Sequence, residues 1–93
     1  MVVKATGEDC SPVRRTPEAA AYLAALGQAV RGQREKLGLS QEKFAFEVEL
    51  DRTYVSGIER GVRNPTVATL LRLTGILGIT PSALLKAAER TRK

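Results

Sequence analysis

The chain has 93 residues, of which 43% are hydrophobic and 4% aromatic, a composition that predicts one small domain with an aliphatic core. Its single cysteine, Cys10, excludes an internal disulfide, and the absence of histidine puts a zinc site and a His-based catalytic triad out of reach. The net charge of +5 favours a polyanionic partner, and we expect no metal, cofactor or small-molecule ligand.

Residues 1–15 mix Gly, Asp, Ser, Pro and Arg without helical periodicity, which predicts a flexible tail. The sequence after this tail predicts one domain over residues 16–90 and a basic end at residues 91–93.

An alanine-rich stretch follows Arg14 and Arg15, a pattern that also occurs in signal peptides. A domain helix is the better interpretation, because Glu18 interrupts the junction and Arg31 ends the apolar run early. No segment is long enough to span a bilayer. Because a single cysteine allows no internal disulfide, we expect a cytoplasmic location.

The first helix is predicted from its two ends. Thr16 can cap it and Pro17 suits its first turn, whereas Gly38 suits the position after its end. Apolar residues recur at helical spacing between these ends: Leu23, Leu26, Val30 and Leu37.

Two short helices follow, joined by a tight turn. Ser40 can cap a helix from Gln41 to Val48, and Asp51 can cap another from Arg52 to Arg60. Their apolar positions are Phe44, Ala45, Val48, Val55 and Ile58. Because the turn is so short, the two axes must cross steeply, which predicts a helix-turn-helix with its second helix in a DNA groove.

Two more helices complete the pattern. Thr66 can cap the fourth helix and Gly78 can end it, and Thr80 with Pro81 can start the fifth. The residues that line one face of each helix are Val67, Leu70, Leu73, Thr74 and Leu77 in the fourth and Leu84, Leu85 and Ala88 in the fifth. With no strand signal, the sequence predicts an all-α domain of five helices.

Residues at fixed spacings across the first four helices carry a family resemblance. They are Arg31, Arg34, Gly38, Ser40, Gln41, Glu42, Ala45, the runs RTYVS and IERG, and Asn64, Pro65 and Thr66. The pattern resembles the Cro/lambda-repressor-like helix-turn-helix proteins, the xenobiotic-response-element family, and within them the restriction-modification controller proteins. This resemblance implies a five-helix domain that binds a twofold DNA operator as a homodimer, with half-sites about 34 Å apart.

The N-terminal turns of helix 3 enter the major groove in this motif. Arg52 can bind guanine O6 and N7 with its planar fork, or act only as a phosphate clamp. Thr53 can contact a thymine methyl or a phosphate, and Ser56 and Gly57 lie on or near the same face. Because Gly57 has no side chain, specificity is expected to depend on Arg52, Thr53, neighbouring contacts or DNA shape.

The resemblance implies further contacts to the DNA backbone. Gln41 corresponds to a glutamine that binds phosphate, the alternative being a simple surface residue that starts the helix. Arg63 and Asn64 lie in a loop that faces the backbone at the operator centre. Arg63 is therefore expected to position the protein without specifying sequence. Tyr54 can donate to a phosphate or cover the edge of the core, and Arg60 can bind helix-end carbonyls or a phosphate.

The resemblance also implies a structural ion pair between Arg34 and Glu59, linking helix 1 to helix 3. Two positions depart from the family pattern: Gly57 stands where several relatives read bases with a longer side chain, and Glu49 stands where many members have glycine in the turn. A left-handed backbone there would cost roughly 1 kcal/mol.

A dimer interface is predicted on helices 4 and 5. Leu71 and Ile76 lie off the main apolar stripe of helix 4, and helix 5 contributes Leu84, Leu85 and Ala88. The alternative is that all five residues complete the core of a monomer.

The sequence as a whole predicts a sequence-specific DNA-binding transcriptional regulator, either a repressor or an autoregulatory switch. The alternative is a protein-interaction module, such as an antitoxin or adaptor, that uses the same fold. An enzyme is disfavoured, because the sequence has no nucleophile-base pair, metal cluster or phosphate-cradling loop.

Overall fold

A computed structural model describes residues 16–92, without the side chain of Arg92. The predicted flexible tail at residues 1–15 and the last residue of the predicted basic end lie outside the described residues. The described part contains helices and no strand, which confirms the all-α, five-helix prediction. The helices are α1 (Pro17–Lys36), α2 (Gln41–Val48), α3 (Arg52–Arg60), α4 (Val67–Leu77) and α5 (Pro81–Arg92).

Hydroxyl groups cap four of the helices, as predicted. Each hydroxyl accepts a backbone N–H three residues ahead at 3.0 to 3.1 Å, the four caps being Thr16, Ser40, Thr66 and Thr80. The prediction for Asp51 was wrong, because its side chain makes no capping hydrogen bond. Its own carbonyl oxygen already accepts the N–H groups of Tyr54 at 3.0 Å and Val55 at 3.1 Å, so the carboxylate lacks that donor.

The turn between α2 and α3 is left-handed at Glu49, with φ 61° and ψ 45°, a conformation that costs a non-glycine residue roughly 1 kcal/mol. Arg72 of α4 supports this turn. Its Nη2 donates to the carbonyl oxygens of Val48 and Glu49, both at 2.9 Å. These bonds satisfy carbonyls that the end of α2 leaves without helical partners, a role for Arg72 that the sequence did not indicate.

The core lies where α1 packs against α3 and α5, with α2 and α4 closing it. Its buried hydrophobic residues are Ala25, Leu26, Val30, Phe44, Ala45, Val48, Val55, Ile58, Leu70, Leu73, Leu77, Leu84 and Ala88. Among the described residues, no single helix is long and apolar enough to cross a membrane; α4 and α5 together reach that length and composition but are bent by 94°.

Two glycines allow α1 to approach α3 closely. A Cβ on Gly27 would lie 2.4 Å from the carbonyl oxygen of Ile58 and 2.5 Å from that of Glu59. Gly61 ends α3 with φ 79°, and a Cβ there would lie 2.7 Å from Cα of Ala24. Backbone atoms occupy both positions, so the α1–α3 contact requires glycine on each side.

Two of the residues predicted for a dimer interface on helix 5 are not accessible to a second chain. Leu84 and Ala88 are fully buried inside the single chain, with exposed fractions of 0%. Leu85 is half-buried against the same core. The reason is that α5 packs its apolar side on α1, where the Tyr22 hydroxyl donates to Glu89 Oε2 at 2.9 Å.

Other apolar residues lie on the surface. Leu71 and Ile76 of α4 are 55% and 36% exposed, so both can contact a second molecule. Val67 and Leu37, expected in the core, are 70% and 51% exposed. Both lie at helix ends, Val67 at the start of α4 and Leu37 just after α1, where packing neighbours are fewer.

Candidate nucleic-acid interface

The exposed side of α3 carries most of the predicted contact residues. Arg52 and Thr53 are exposed in its first turn, and Arg60 is exposed in its last. Arg60 Nε donates to Ser56 Oγ at 3.3 Å, which lays its side chain along the helix. This surface faces away from the residues that α3 buries, Val55 and Ile58 among them.

Glu59 is the only acidic residue of α3, and it does not weaken this positive surface. Its carboxylate is buried and pairs with Arg34 of α1, through Nε to Oε2 at 2.7 Å and Nη2 to Oε1 at 3.0 Å. Arg52 and Arg60 are therefore the charged groups that α3 presents to solvent. A cationic surface of this kind suits the phosphates of DNA.

Arg34 also binds the loop after α1. Its Nη1 donates to the carbonyl oxygen of Leu39 at 2.7 Å, so one guanidinium joins α1, this loop and α3. The hydrogen bond to Glu59 raises the pKa of the Arg34 guanidinium above its already high usual value, although burial acts in the opposite direction. The guanidinium therefore keeps its charge at physiological pH. Arg34 and Glu59 are the two residues for which the family resemblance implies an ion pair.

Gln41 belongs to the same network. Its Nε2 donates to Glu59 Oε1 at 3.0 Å, so the side-chain amide is held against α3. The first N–H groups of a helix have no partner within the helix, and the helix dipole makes them favourable for an anion. The amide has a second N–H, so a phosphate at the start of α2 can accept from these backbone groups and from the Gln41 side chain while the bond to Glu59 stays in place.

The structure corrects the placement of Gly57. This residue is buried, because the side chain of Arg63 lies across it: a Cβ on Gly57 would be 2.6 Å from Arg63 Cγ. Gly57 cannot contact DNA through its own surface while Arg63 stays there. The Arg63 guanidinium lies over the Tyr54 ring, 5.4 Å from its centroid, and Tyr54 packs against the core edge.

Asn64 is exposed in the loop between α3 and α4, next to buried Pro65. The described residues contain no group of three or more His, Cys, Asp or Glu side chains that could hold a metal ion. The candidate site combines hydrogen-bond donors and cationic groups from α2, α3 and the following loop.

Two short helices, α2 and α3, joined by a turn of three residues form a helix-turn-helix. The chain belongs to the helix-turn-helix family, whose model matches residues 30–84. This finding confirms the family predicted from the sequence.

Controller proteins are among its relatives. Control protein C.BamHI of Bacillus amyloliquefaciens is 48% identical over 60 residues, covering 63% of this chain and 74% of the relative. The crystal structure of the restriction-modification controller protein C.AhdI from Aeromonas hydrophila matches with 47% identity and a TM-score of 0.67, over 69% of this chain and 97% of that one. The controller protein C.Esp1396I, a tetramer in complex with its natural 35 base-pair operator, matches with 30% identity and a TM-score of 0.66, over 74% and 91%.

Proposed function

We propose that this protein is a sequence-specific DNA-binding transcriptional regulator that acts in the cytoplasm and catalyses no reaction. The observation that carries the proposal is the exposed side of α3, where Arg52, Thr53 and Arg60 are accessible while Glu59 is buried in an ion pair. The kinship with controller proteins, one of them crystallised with its operator, supports the same function.

In the proposed complex, the first turn of α3 enters the major groove and the N-terminus of α2 meets the DNA backbone. Arg52 reads a guanine and Thr53 contacts a thymine methyl or a phosphate. Arg60 and Asn64 bind phosphates and hold the register, and the Gln41 amide does the same together with the backbone N–H groups at the start of α2.

A single short helix binds a few base pairs, so the protein is proposed to act as a twofold dimer. The candidate interface is the exposed side of α4, where Leu71 and Ile76 flank Gly75. A Cβ on Gly75 would meet nothing within 4 Å in the single chain, so the helix surface there is open to close approach by a second copy.

The proposed function is tested by selecting bound duplexes from a random DNA pool at about 150 mM salt, which suppresses purely ionic binding. We expect an enriched motif with two inverted halves about one helical turn apart. Weak, steeply salt-dependent binding without enrichment would contradict the proposal and favour the protein-interaction alternative.

Arg52→Ala should remove discrimination at one base pair in each half-site. Losing a bidentate contact to guanine is expected to cost about 1 to 3 kcal/mol on the selected operator and little on DNA mutated at that base pair. The measurement is the affinity of wild-type and variant protein for both duplexes. Arg31→Ala on α1 removes the same charge outside the candidate site and should leave both affinities unchanged. An equal loss of affinity for both duplexes would show that Arg52 contacts a phosphate and does not read a base.

Gly75→Gln should weaken dimerisation by at least about tenfold, because a long polar side chain would enter the proposed α4 interface. The same change should stabilise the single chain by about 0.5 to 1 kcal/mol, since glutamine favours helix over glycine. Gly32→Gln in α1 is the matched control, because a Cβ on Gly32 also meets nothing within 4 Å. Sedimentation equilibrium measures the dimer dissociation constant of both variants. If Gly75→Gln dimerises as tightly as Gly32→Gln, the interface lies elsewhere.

A further inference from the structure

The side chain of Arg63, which belongs to the loop after α3, runs back along this helix. A Cβ on Gly57 would lie 2.6 Å from Arg63 Cγ, 3.4 Å from Nε and 3.5 Å from Cδ, so the stem crosses Gly57. The guanidinium then lies over the ring of Tyr54. Since Tyr54 precedes Gly57 by almost one helical turn, the side chain runs from the C-terminal end of α3 towards its N-terminus.

This path brings the Arg63 guanidinium to the first turn of α3. Tyr54 belongs to that turn, together with Arg52 and Thr53. In a helix-turn-helix, this end of the second helix enters the major groove. A residue that the resemblance places in a backbone-facing loop thus carries its charge to the ring of Tyr54, which follows Arg52 and Thr53 in the first turn of α3.

We propose that Arg63 is a specificity-determining residue, which reads a guanine in the major groove across the space that Gly57 leaves open. This inference rests on the proposed function. The planar fork of a guanidinium carries N–H donors that match guanine O6 and N7. The cation–π contact with Tyr54 holds the Arg63 guanidinium over the ring, and Gly57 leaves room for the side chain to reach it.

The competing role for Arg63 is a phosphate contact, which adds affinity without sequence preference. The two roles differ in their response to Gly57→Ala. A methyl group there would collide with the Arg63 stem and push it off α3, while every charge of the protein stays in place. Alanine also favours helix more than glycine does, so the variant should stay folded.

The experiment repeats the duplex selection with wild-type, Arg63→Ala, Arg63→Lys and Gly57→Ala proteins, with folding checked by circular dichroism. Arg63→Ala and Arg63→Lys should lose preference for one guanine by roughly 5- to 150-fold, because lysine keeps the charge but lacks the planar fork. Gly57→Ala should lose preference at the same base pair while the remaining positions of the motif are retained.

Two results would overturn this role of Arg63. One is an Arg63→Ala protein that binds all duplexes more weakly by the same factor, with the salt slope lower by about one unit, which describes a phosphate contact. The other is a Gly57→Ala protein that keeps the wild-type motif. A wild-type protein that selects no motif would instead refute the proposed function, so the two failures are distinguishable.

Discussion

Replacing Arg34 with alanine is expected to destabilise the folded chain by about 3 to 5 kcal/mol. The substitution leaves the Glu59 carboxylate buried, with the Gln41 amide as its remaining hydrogen-bond partner, and removes the donor to the Leu39 carbonyl. Small domains have unfolding free energies of about 5 to 15 kcal/mol, so the loss is a large fraction of the total. Urea denaturation followed by circular dichroism measures it.

Arg31→Ala is the matched control for this change, because Arg31 lies on the same helix and pairs with Glu35 at 3.0 Å on the exposed surface. Removing this pair should cost about 0.3 to 0.5 kcal/mol. A second control replaces both buried charges, as Arg34→Met with Glu59→Leu, which should recover much of the lost stability. If Arg34→Ala costs no more than Arg31→Ala, the buried pair does not stabilise the fold.

Leu84→Ala is expected to destabilise the chain by about 2 to 5 kcal/mol, because it leaves a cavity where α5 packs into the core. Leu84 is fully buried, and its helix, α5, packs mainly against α1. The unfolding free energy should fall, while the protein that remains folded keeps its oligomeric state. Urea denaturation and sedimentation measure these two quantities.

Leu37→Ala is the control for the leucine truncation, since Leu37 lies on the surface after α1 and should change stability by no more than about 0.5 kcal/mol. A Leu84→Ala protein of unchanged stability that loses its dimer would restore the interface originally predicted for Leu84.

The helices were predictable because their signals are local. A hydroxyl before a helix binds an N–H group three residues ahead, and apolar residues recur with the helical period, so neither signal needs knowledge of distant residues. Asp51 marks the limit of this reasoning. It occupies the capping position of α3, but its own backbone carbonyl already accepts the N–H that its side chain would take.

The candidate site was predictable in its residues and less so in their arrangement. Arg52 and Thr53 are exposed where the motif places them, because they follow the turn directly. Nothing in the sequence indicates that the aliphatic part of the Arg63 side chain crosses Gly57, because the two residues lie in different elements. Arg72 was missed because its partners at the end of α2 lie more than twenty positions away in the chain.

The five helices, the helix-turn-helix and the family could be predicted from the residues alone, because capping, periodicity and short spacings act between neighbours. The packing of the helices settles which apolar residues of α4 and α5 are buried, because the apolar side of a helix can pack inside its own chain or against another chain. It also decided that Glu59 is neutralised by Arg34 and holds Gln41, and that Arg63 reaches the first turn of α3. Each of these contacts joins residues from separate elements, and their distances depend on how the helices pack.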